Sequence, residues 1–570
     1  MHISARFSSS LRPVRPKPNL NIELTPIEDQ LCTLLDDCTK DLRKSRPELT
    51  HVECRIAGGW VRDKLLGLES NDIDIALSSM MGVTFADHFV SFLALKGHII
   101  RDAVKVARNP DQSKHLETAM VTVLGLDVDL VNLRSEVYAD DSRIPSEVGF
   151  GTPLEDALRR DITINSLFYN VHTRLVEDHT SKGLEDLKSG IIRTPLAPRE
   201  TFMDDPLRVL RCVRFASRFE YELALGVREA IQEQAIRNAL AAKISRERIG
   251  IEIDKMLKGR NPLLPLKMIE ELALHDAIFW FPKTWMDMLS NPPGPRSLGL
   301  AASSVLHNLL SQFEGQKETA TFQLPPLHPS LFQHAGPDKD VRRRLYLAAA
   351  MTPFKGITYL EKKKPVSAME GLIRVGLKLG NQNHYMDGVT ALFDASTLLS
   401  RPSLDRFASP NGERVALGLA LRNERVHKPQ NGSHWSSSLL FSLVQDLVGV
   451  WDHTSNEFDS QVVHKIIEIY NNFVERVEEL DVPSSVDEKP ILDGRTIGTL
   501  LSLKPGPHTG RVLSRVVEWQ LGHPGGSAND CQAWLKSEHE AGRLLPDMGS
   551  AGDGKRSSGQ EGRAQKKVRT

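Results

Sequence analysis

Between about residue 50 and residue 195 the chain interleaves short β-type runs, "HVECRIAGG", "NDIDIAL", "AMVTVLGLDVDLVNLR" and "ITINSLFYNV", with stretches of helical period. That texture predicts an α/β head on a small sheet with flanking helices. After about Leu196 the strand signals nearly vanish, and apolar residues recur every three or four positions, as in "DPLRVLRCVRFASRF", "SRERIGIEIDKML" and "SSLLFSLVQDLVGVWD". An extended all-α remainder is predicted, with no internal repeat. At 570 residues the chain exceeds what one core organises. The pattern divides it into a leader (1–25), a head (26–195), a helical neck (196–265), a helical body (266–480), a helical tail (481–546) and a polar end (547–570).

The two ends carry little to bury. "MHISARFSSSLRPVRPKPNLNI" has four basic residues, a serine cluster and no acid before Glu23, the composition of a mitochondrial transit segment or of a plain disordered leader. "DMGSAGDGKRSSGQEGRAQKKVRT" is Gly/Ser-rich and charged, which predicts disorder. Its Lys555-Arg556 and Lys566-Lys567 pairs resemble a two-part nuclear import signal, and solvated basic tails read the same way. A cytoplasmic protein with mitochondrial and nuclear pools is the expectation.

Charge narrows the picture further. With 72 basic and 73 acidic residues the net charge is −1, so a nucleic acid would need a local patch. The five cysteines are scattered without C-x-x-C or Cys/His zinc spacing, which predicts free thiols in a reducing compartment. No run reaches the eighteen or so apolar residues of a membrane helix, so a soluble protein without membrane partners is expected. Nothing in the sequence fixes an oligomeric state.

The apolar run "NDIDIAL" contains two acids, Asp72 and Asp74. Alternate residues of a strand share a face, so both carboxylates point the same way. Unpaired they repel; a divalent cation of the Mg²⁺ type relieves this and completes its shell with water and substrate phosphates. Asp129, in the run "DVDLVNLR", can join them from a neighbouring strand. Two metals held this way activate an attacking hydroxyl and stabilise a leaving pyrophosphate. Alone, such a pair is also what an exposed edge strand carries.

It is not alone. Gly58 and Gly59 end a strand just before the helical "WVRDKLLG", with Arg62 in the first turn. Such a glycine pair lets backbone N–H groups approach phosphate. The combination G-G-x-V-R-D-x-L-L-G followed closely by D-x-D resembles the signature of the DNA polymerase β nucleotidyltransferase superfamily, and within it the class II CCA-adding tRNA nucleotidyltransferases and their poly(A) polymerase relatives.

Later segments resemble that family's further motifs in order: "RRDITIN" (Arg159 to Asn165), "GLEDLKSGIIRTP", "DDPLRVLRCVRF" (Asp204 to Phe215) and "SRERIGIEIDKML". The resemblance implies that Arg160, Asp161 and Asn165 bind nucleotide, with Asp161 able to accept from a ribose 2′-OH. It also implies that Arg211 and Arg214 line the nucleotide site. The pattern E-D-x-x-R of the fourth motif occurs twice. By order the functional copy is Asp204 to Arg208, where Asp204 replaces the glutamate. The copy from Glu155 to Arg159 lies in the head.

Asp205 and Arg208, three apart, are expected on one helix face as an acceptor beside a donor fork. Cytosine and adenine both present an amino donor next to a ring-nitrogen acceptor, complementary to this pair. Uracil and guanine present the reverse order and would leave buried polar groups unpaired at about 1–3 kcal/mol each. Without the family resemblance, a plain helical salt bridge would be the simpler reading.

The resemblance therefore implies a CCA tRNA nucleotidyltransferase that adds C, C and A to the 3′ end of tRNA from CTP and ATP. Partial enzymes adding only CC or A, a poly(A) polymerase, and a non-catalytic RNA-binding protein on the same fold are the alternatives. The helical body is expected to grip RNA through its phosphates. The polar stretch from Arg134 to Pro153, with Gly149 and Gly151 as hinges, is expected to adjust the pocket between CTP and ATP.

Overall fold

The computed structural model describes residues 2–4, 21–49, 51–98, 104–106, 118–137, 147–313, 324–409, 412–452, 457–504 and 506–544. Most of the leader and all of the basic tail lie outside them, so the readings made on those segments have no structural counterpart. Residues 2–4 form a short strand, β1 (His2–Ser4), antiparallel to Glu457–Asp459.

The head opens with α1 (Pro26–Ser45), whose first turn is fixed by a capping box between Thr25 and Glu28 and by Pro26. Its inward face is Leu31, Leu35, Cys38 and Leu42, all buried. Then follow β2 (Cys54–Ala57), α2 (Gly59–Leu65), β3 (Ile73–Leu77), α3 (Gly82–Leu95), β4 (Val104–Val106), β5 (Thr118–Val123) and β6 (Leu126–Asn132). After a hairpin, β7 (Arg134–Val137) and β8 (Glu147–Phe150), come α4 (Pro153–Leu158), β9 (Phe168–Asn170), β10 (Leu175–Glu177) and α5 (Gly183–Ser189). Seven strands make one sheet in the order β10-β9-β2-β3-β6-β5-β4. Only β3 and β6 run parallel in it. β2, with every residue buried, reads as an interior strand, and it lies third of the seven, between β9 and β3.

The neck continues with α6 (Pro198–Asp204), α7 (Leu207–Phe219), α8 (Leu225–Gln232), α9 (Gln234–Lys243) and α10 (Arg246–Leu257), with α10 packed on α7. Arg246 at the start of α10 donates to the carbonyls of Gly376, Ala277 and Ile278, tying α10 to the helices that follow. Those include Ser297–Phe313, Lys339–Ala350, Tyr385–Leu398 and Trp435–Val448. One small hairpin, Thr358–Glu361 with Lys364–Ser367, interrupts them; four-residue strands are too short to show a period in the sequence.

The chain divides into two compact units, residues 1–400 with 429–467, and residues 401–428 with 468–570. The second unit is helical and has its own core of Leu492, Ile497, Val512, Val516, Trp519, Cys531 and Leu535. All five cysteines are free and buried. Among the described residues no helix is long and apolar enough to cross a membrane.

Candidate active site

The parallel pairing of β3 and β6 sets Asp74 directly opposite Asp129. Asp72 lies two residues before Asp74, just ahead of the first residue of β3, so the strand mouth carries it on the same side. Ligand oxygens of all three come within 4.8 Å of one another. Among the described residues no cation forms an ion pair with any of them. Burial, then Asp72, raises Asp74 to about 6, against the pull of Arg160 and Arg134. Asp129 is raised as well, by burial and then by Asp72 and Asp127. Three converging carboxylates that disfavour one another's charge fit a divalent cation with oxygen ligands.

Gly58 caps α2 with φ +72°, a conformation that L side chains rarely adopt, and a Cβ there would lie 2.7 Å from Nη1 of Arg160. Its N–H donates to the carbonyl of Leu167 at 2.9 Å. Gly59 starts the helix and has room for a side chain. Arg62, expected to face phosphate from the first turn, points inward instead and is 3% exposed. It donates to Asp63 at 2.7 Å and to Oδ1 of Asn165, and its guanidinium lies 5.2 Å and 4.9 Å from the ring centres of Phe215 and Phe219.

The second motif is drawn together from both sides. Arg160 lies over Phe168 and donates to the carbonyl of Asn165 at 3.1 Å. Asn165 in turn donates to Oδ1 of Asp161 at 3.0 Å. Asp161 also accepts from the N–H of Ile162, and its Oδ2 accepts from Arg211 of α7. Burial works to raise its pKa, and Arg211, Asn165 and Arg208 together outweigh burial, holding the carboxyl at about 2. The structure thus places Asp161 as the anchor of Arg211, with both oxygens already engaged. Arg211 approaches Glu252 of α10 at 3.9 Å, and Arg214 donates to Glu252 at 2.6 Å.

Asp205 and Arg208 do not sit on successive turns of one helix. Asp205 precedes Pro206, a position pushed towards extended backbone, and has φ −135° and ψ 94°; α7 begins only at Leu207. They form no ion pair with each other. Oδ1 of Asp205 accepts from the N–H of Leu207 at 3.2 Å and Oδ2 from Arg248 of α10 at 3.2 Å. Arg208 donates to the carbonyl of Arg159 at 2.5 Å. The simple salt-bridge reading of this pair is therefore not what the structure shows.

Arg248 and Glu252 hold Asp205, Arg211 and Arg214 and are not among the residues the sequence picked out. Their spacing of four on α10 was the available signal, since it puts both on the face turned to α7. Asp156 is a third, set aside as part of the duplicate motif.

The expected lever segment contains the β7–β8 hairpin, where a polar loop was anticipated; residues 138–146 lie outside the described ones. Gly149 and Gly151 both have ordinary negative-φ or extended backbone. Gly151 is needed for a close approach, since a Cβ on it would lie 2.3 Å from the carbonyl carbon of Arg134.

A family model described as the poly A polymerase head domain matches residues 54–193, and one described as a probable RNA and SrmB-binding site of polymerase A matches residues 221–288. The chain is 36% identical over 537 residues to the mitochondrial CCA tRNA nucleotidyltransferase of Saccharomyces cerevisiae, covering 90% of this chain and 94% of the relative. It is 35% identical over 545 residues to the mitochondrial CCA tRNA nucleotidyltransferase of Candida glabrata, covering 90% and 96%. A solved structure described as CCA-adding enzyme apo form II shares the fold with a TM-score of 0.57 at 17% identity, covering 90% of this chain and 96% of that one. Head, sheet and carboxylate triad together are those of a nucleotidyltransferase. Identity and coverage of this order carry the assignment further: the chain belongs to the CCA tRNA nucleotidyltransferase family.

Proposed function

We propose that this protein adds C, C and A to the 3′ end of tRNA from CTP and ATP without a nucleic-acid template, releasing pyrophosphate. The observation that carries the reading is the meeting of Asp72, Asp74 and Asp129 at one strand mouth. Asp72 and Asp74, joined by Asp129, would hold Mg²⁺, which when bound supplies positive charge for the attacking and leaving oxygens. The 3′-hydroxyl oxygen of the RNA attacks the α-phosphorus of the nucleotide in line, the bond to the bridging oxygen breaks, and pyrophosphate departs.

Arg160 is the side chain best placed to meet the nucleotide's phosphates or ribose, since it sits close enough to Asp74 to lower its pKa and against the Gly58 turn. Arg208 keeps N–H groups beyond the one used on Arg159 and would supply the donor, and Asp205, held by Arg248 and the N–H of Leu207, would supply the acceptor that together suit cytosine and adenine. Arg211 and Arg214 are held by Asp161 and Glu252, which gives this wall of the site a fixed shape.

For the RNA, the supporting feature is a cavity of about 400 Å³ lined by Lys258, Arg260, Lys339, Arg342 and His307 and by no carboxylate. Lys258 and Arg260 fall within the segment that matches the probable RNA-binding model. Phosphate recognition of this kind needs no sequence reading. The relatives' names support a mitochondrial pool; cytoplasmic and nuclear pools rest on the sequence alone.

The deciding experiment supplies a tRNA ending at the discriminator base with CTP, ATP, UTP and GTP, singly and together. Addition of C, C and A in order is expected. A product that stops after CC, one that gains only A on a CC end, or a long run of A would instead select a partial enzyme or a poly(A) polymerase. No addition under any condition would select a non-catalytic RNA-binding role.

A further inference from the structure

The duplicate E-D-x-x-R, Glu155 to Arg159, lies next to the second motif, and its two acids behave differently. Glu155 is exposed and closes a capping box with Thr152 at the start of α4. Asp156 turns inward to 1% exposure. Its Oδ1 accepts from Nε of Arg159 at 2.8 Å, and more weakly from the N–H of Arg134 at 3.4 Å. Its Oδ2 accepts from Nε and Nη2 of Arg160 at 3.0 Å and 2.9 Å. Burial pushes this carboxyl towards neutrality, and the two guanidiniums outweigh it.

Each group on Asp156 leads to a different part of the site. Arg160 reaches the Gly58 turn and the field of Asp74. The carbonyl of Arg159 is the acceptor that holds Arg208. Arg134 opens the β7–β8 hairpin. A base-reading donor discriminates only if it stands at a set distance from the reacting phosphate, because small misplacements weaken right and wrong partners alike.

We propose that Asp156 is a positioning residue for base selection: by clamping Arg159 and Arg160 on its two oxygens, it fixes Arg208 relative to the carboxylates where transfer occurs. The proposal rests on the reading of Arg208 as a base selector. It gives the head, and not the neck alone, a hand in nucleotide choice.

The test measures kcat and KM for CTP and for UTP in single additions to tRNA by the full-length protein, with the melting temperature recorded for each variant. Asp156→Asn keeps the shape, removes the charge and turns one acceptor into a donor. It is expected to lower kcat/KM for CTP at least tenfold and the CTP-over-UTP preference at least tenfold, while tRNA affinity holds; Asp156→Glu is expected to recover part of the preference. Adding Arg208→Ala to Asp156→Asn is expected to lower the preference no further. Arg159→Met leaves Asp156 on Arg160 and frees only the arm towards Arg208, and it decides alone if Asp156→Asn does not fold. A lowered preference with KM for CTP near wild type is expected. An unchanged preference in folded Asp156→Asn or in Arg159→Met, or losses from Asp156→Asn and Arg208→Ala that multiply, would overturn the proposal. A wild-type enzyme that takes UTP as readily as CTP would overturn the base-selection reading itself, a distinct result.

Discussion

Nε and Nη2 of Arg211 both lie 2.7 Å from a single oxygen, Oδ2 of Asp161. The pair joins a residue between α4 and β9 to α7, fifty positions later, and among the described residues it is a shorter ionic link from head to neck than that of Arg218 to Asp63 at 3.3 Å. The raised pKa of Arg211, owed first to Asp161, and the lowered one of Asp161 agree in direction.

Acid should loosen this link. The folded pKa of Asp161, about 2, lies below the ordinary 3.8, so its contribution is present in full above about pH 4 and is lost as the pH falls through about 2. Asp161→Asn is expected to cost about 2 kcal/mol at neutral pH, roughly a third of that at pH 2.5, and to approach nothing only well below pH 2. Urea midpoints of the two proteins at pH 7, 4 and 2.5 check this; coinciding midpoints at all three would show the pair to be neutral for stability, and a constant offset would show a cost unrelated to its titration.

Asp72→Ala or Asp74→Ala should each drop nucleotide addition below a tenth of the wild-type rate, a loss of more than about 1.4 kcal/mol in the transition state. Binding of tRNA, followed by gel mobility, should persist. Added Mg²⁺ should raise the melting temperature of the wild type and leave that of Asp74→Ala where it was.

Shortening the segment within residues 138–146 should spare both cytidine additions and selectively cripple the terminal adenosine. Gly151→Ala, which forces a side chain against the backbone of Arg134 at the root of the hairpin, should act in the same direction. Product ladders on denaturing gels separate the steps. Equal loss of all three additions would make the hairpin a structural element and move the switch to α7.

Replacing Lys258, Arg260 and Lys339 together by alanine should raise the Kd for tRNA and flatten its dependence on salt by roughly 0.7–0.9 in log–log slope for each phosphate left without its cation. The maximal rate at saturating tRNA should stay near wild type. A slope unchanged from wild type would remove the cavity from the RNA path.

The triad was legible because strand period alone places Asp72 and Asp74 on one side, and a second acidic strand was visible in "DVDLVNLR". The register of Asp74 on Asp129 was not, since parallel pairing depends on a crossover whose path the local sequence does not state. Arg62 and Asp161 are read from the sequence as nucleotide-binding residues, and the structure gives them other neighbours than that reading implies. The partners that set their roles, Asn165, Phe215 and Phe219 for Arg62 and Arg211 for Asp161, lie 50 or more positions away, and a basic residue in a first turn looks the same whether it turns outward or in. Asp205 was misplaced onto a helix although the following proline already spoke for extended backbone. The helical remainder was legible as helices but not as a division into two units, because the residues from 401 to 428 return to a later part of the chain.

Arg62 belongs to the sheet domain by sequence, yet its charged plane is enclosed by Phe215 and Phe219 of α7 while its hydrogen bonds go back to Asp63 and Asn165. The change of texture near residue 196 looks like a seam at which relatives could exchange parts. It is a poor place to recombine. A hybrid cut there would pair one parent's arginine with the other's aromatic pair, and one parent's Asp161 with the other's Arg211. A workable hybrid should instead take Arg62, Asp161, Arg211, Phe215 and Phe219 from one parent, and keep Asp254 of α10 with the Arg343 and Tyr385 that hold it.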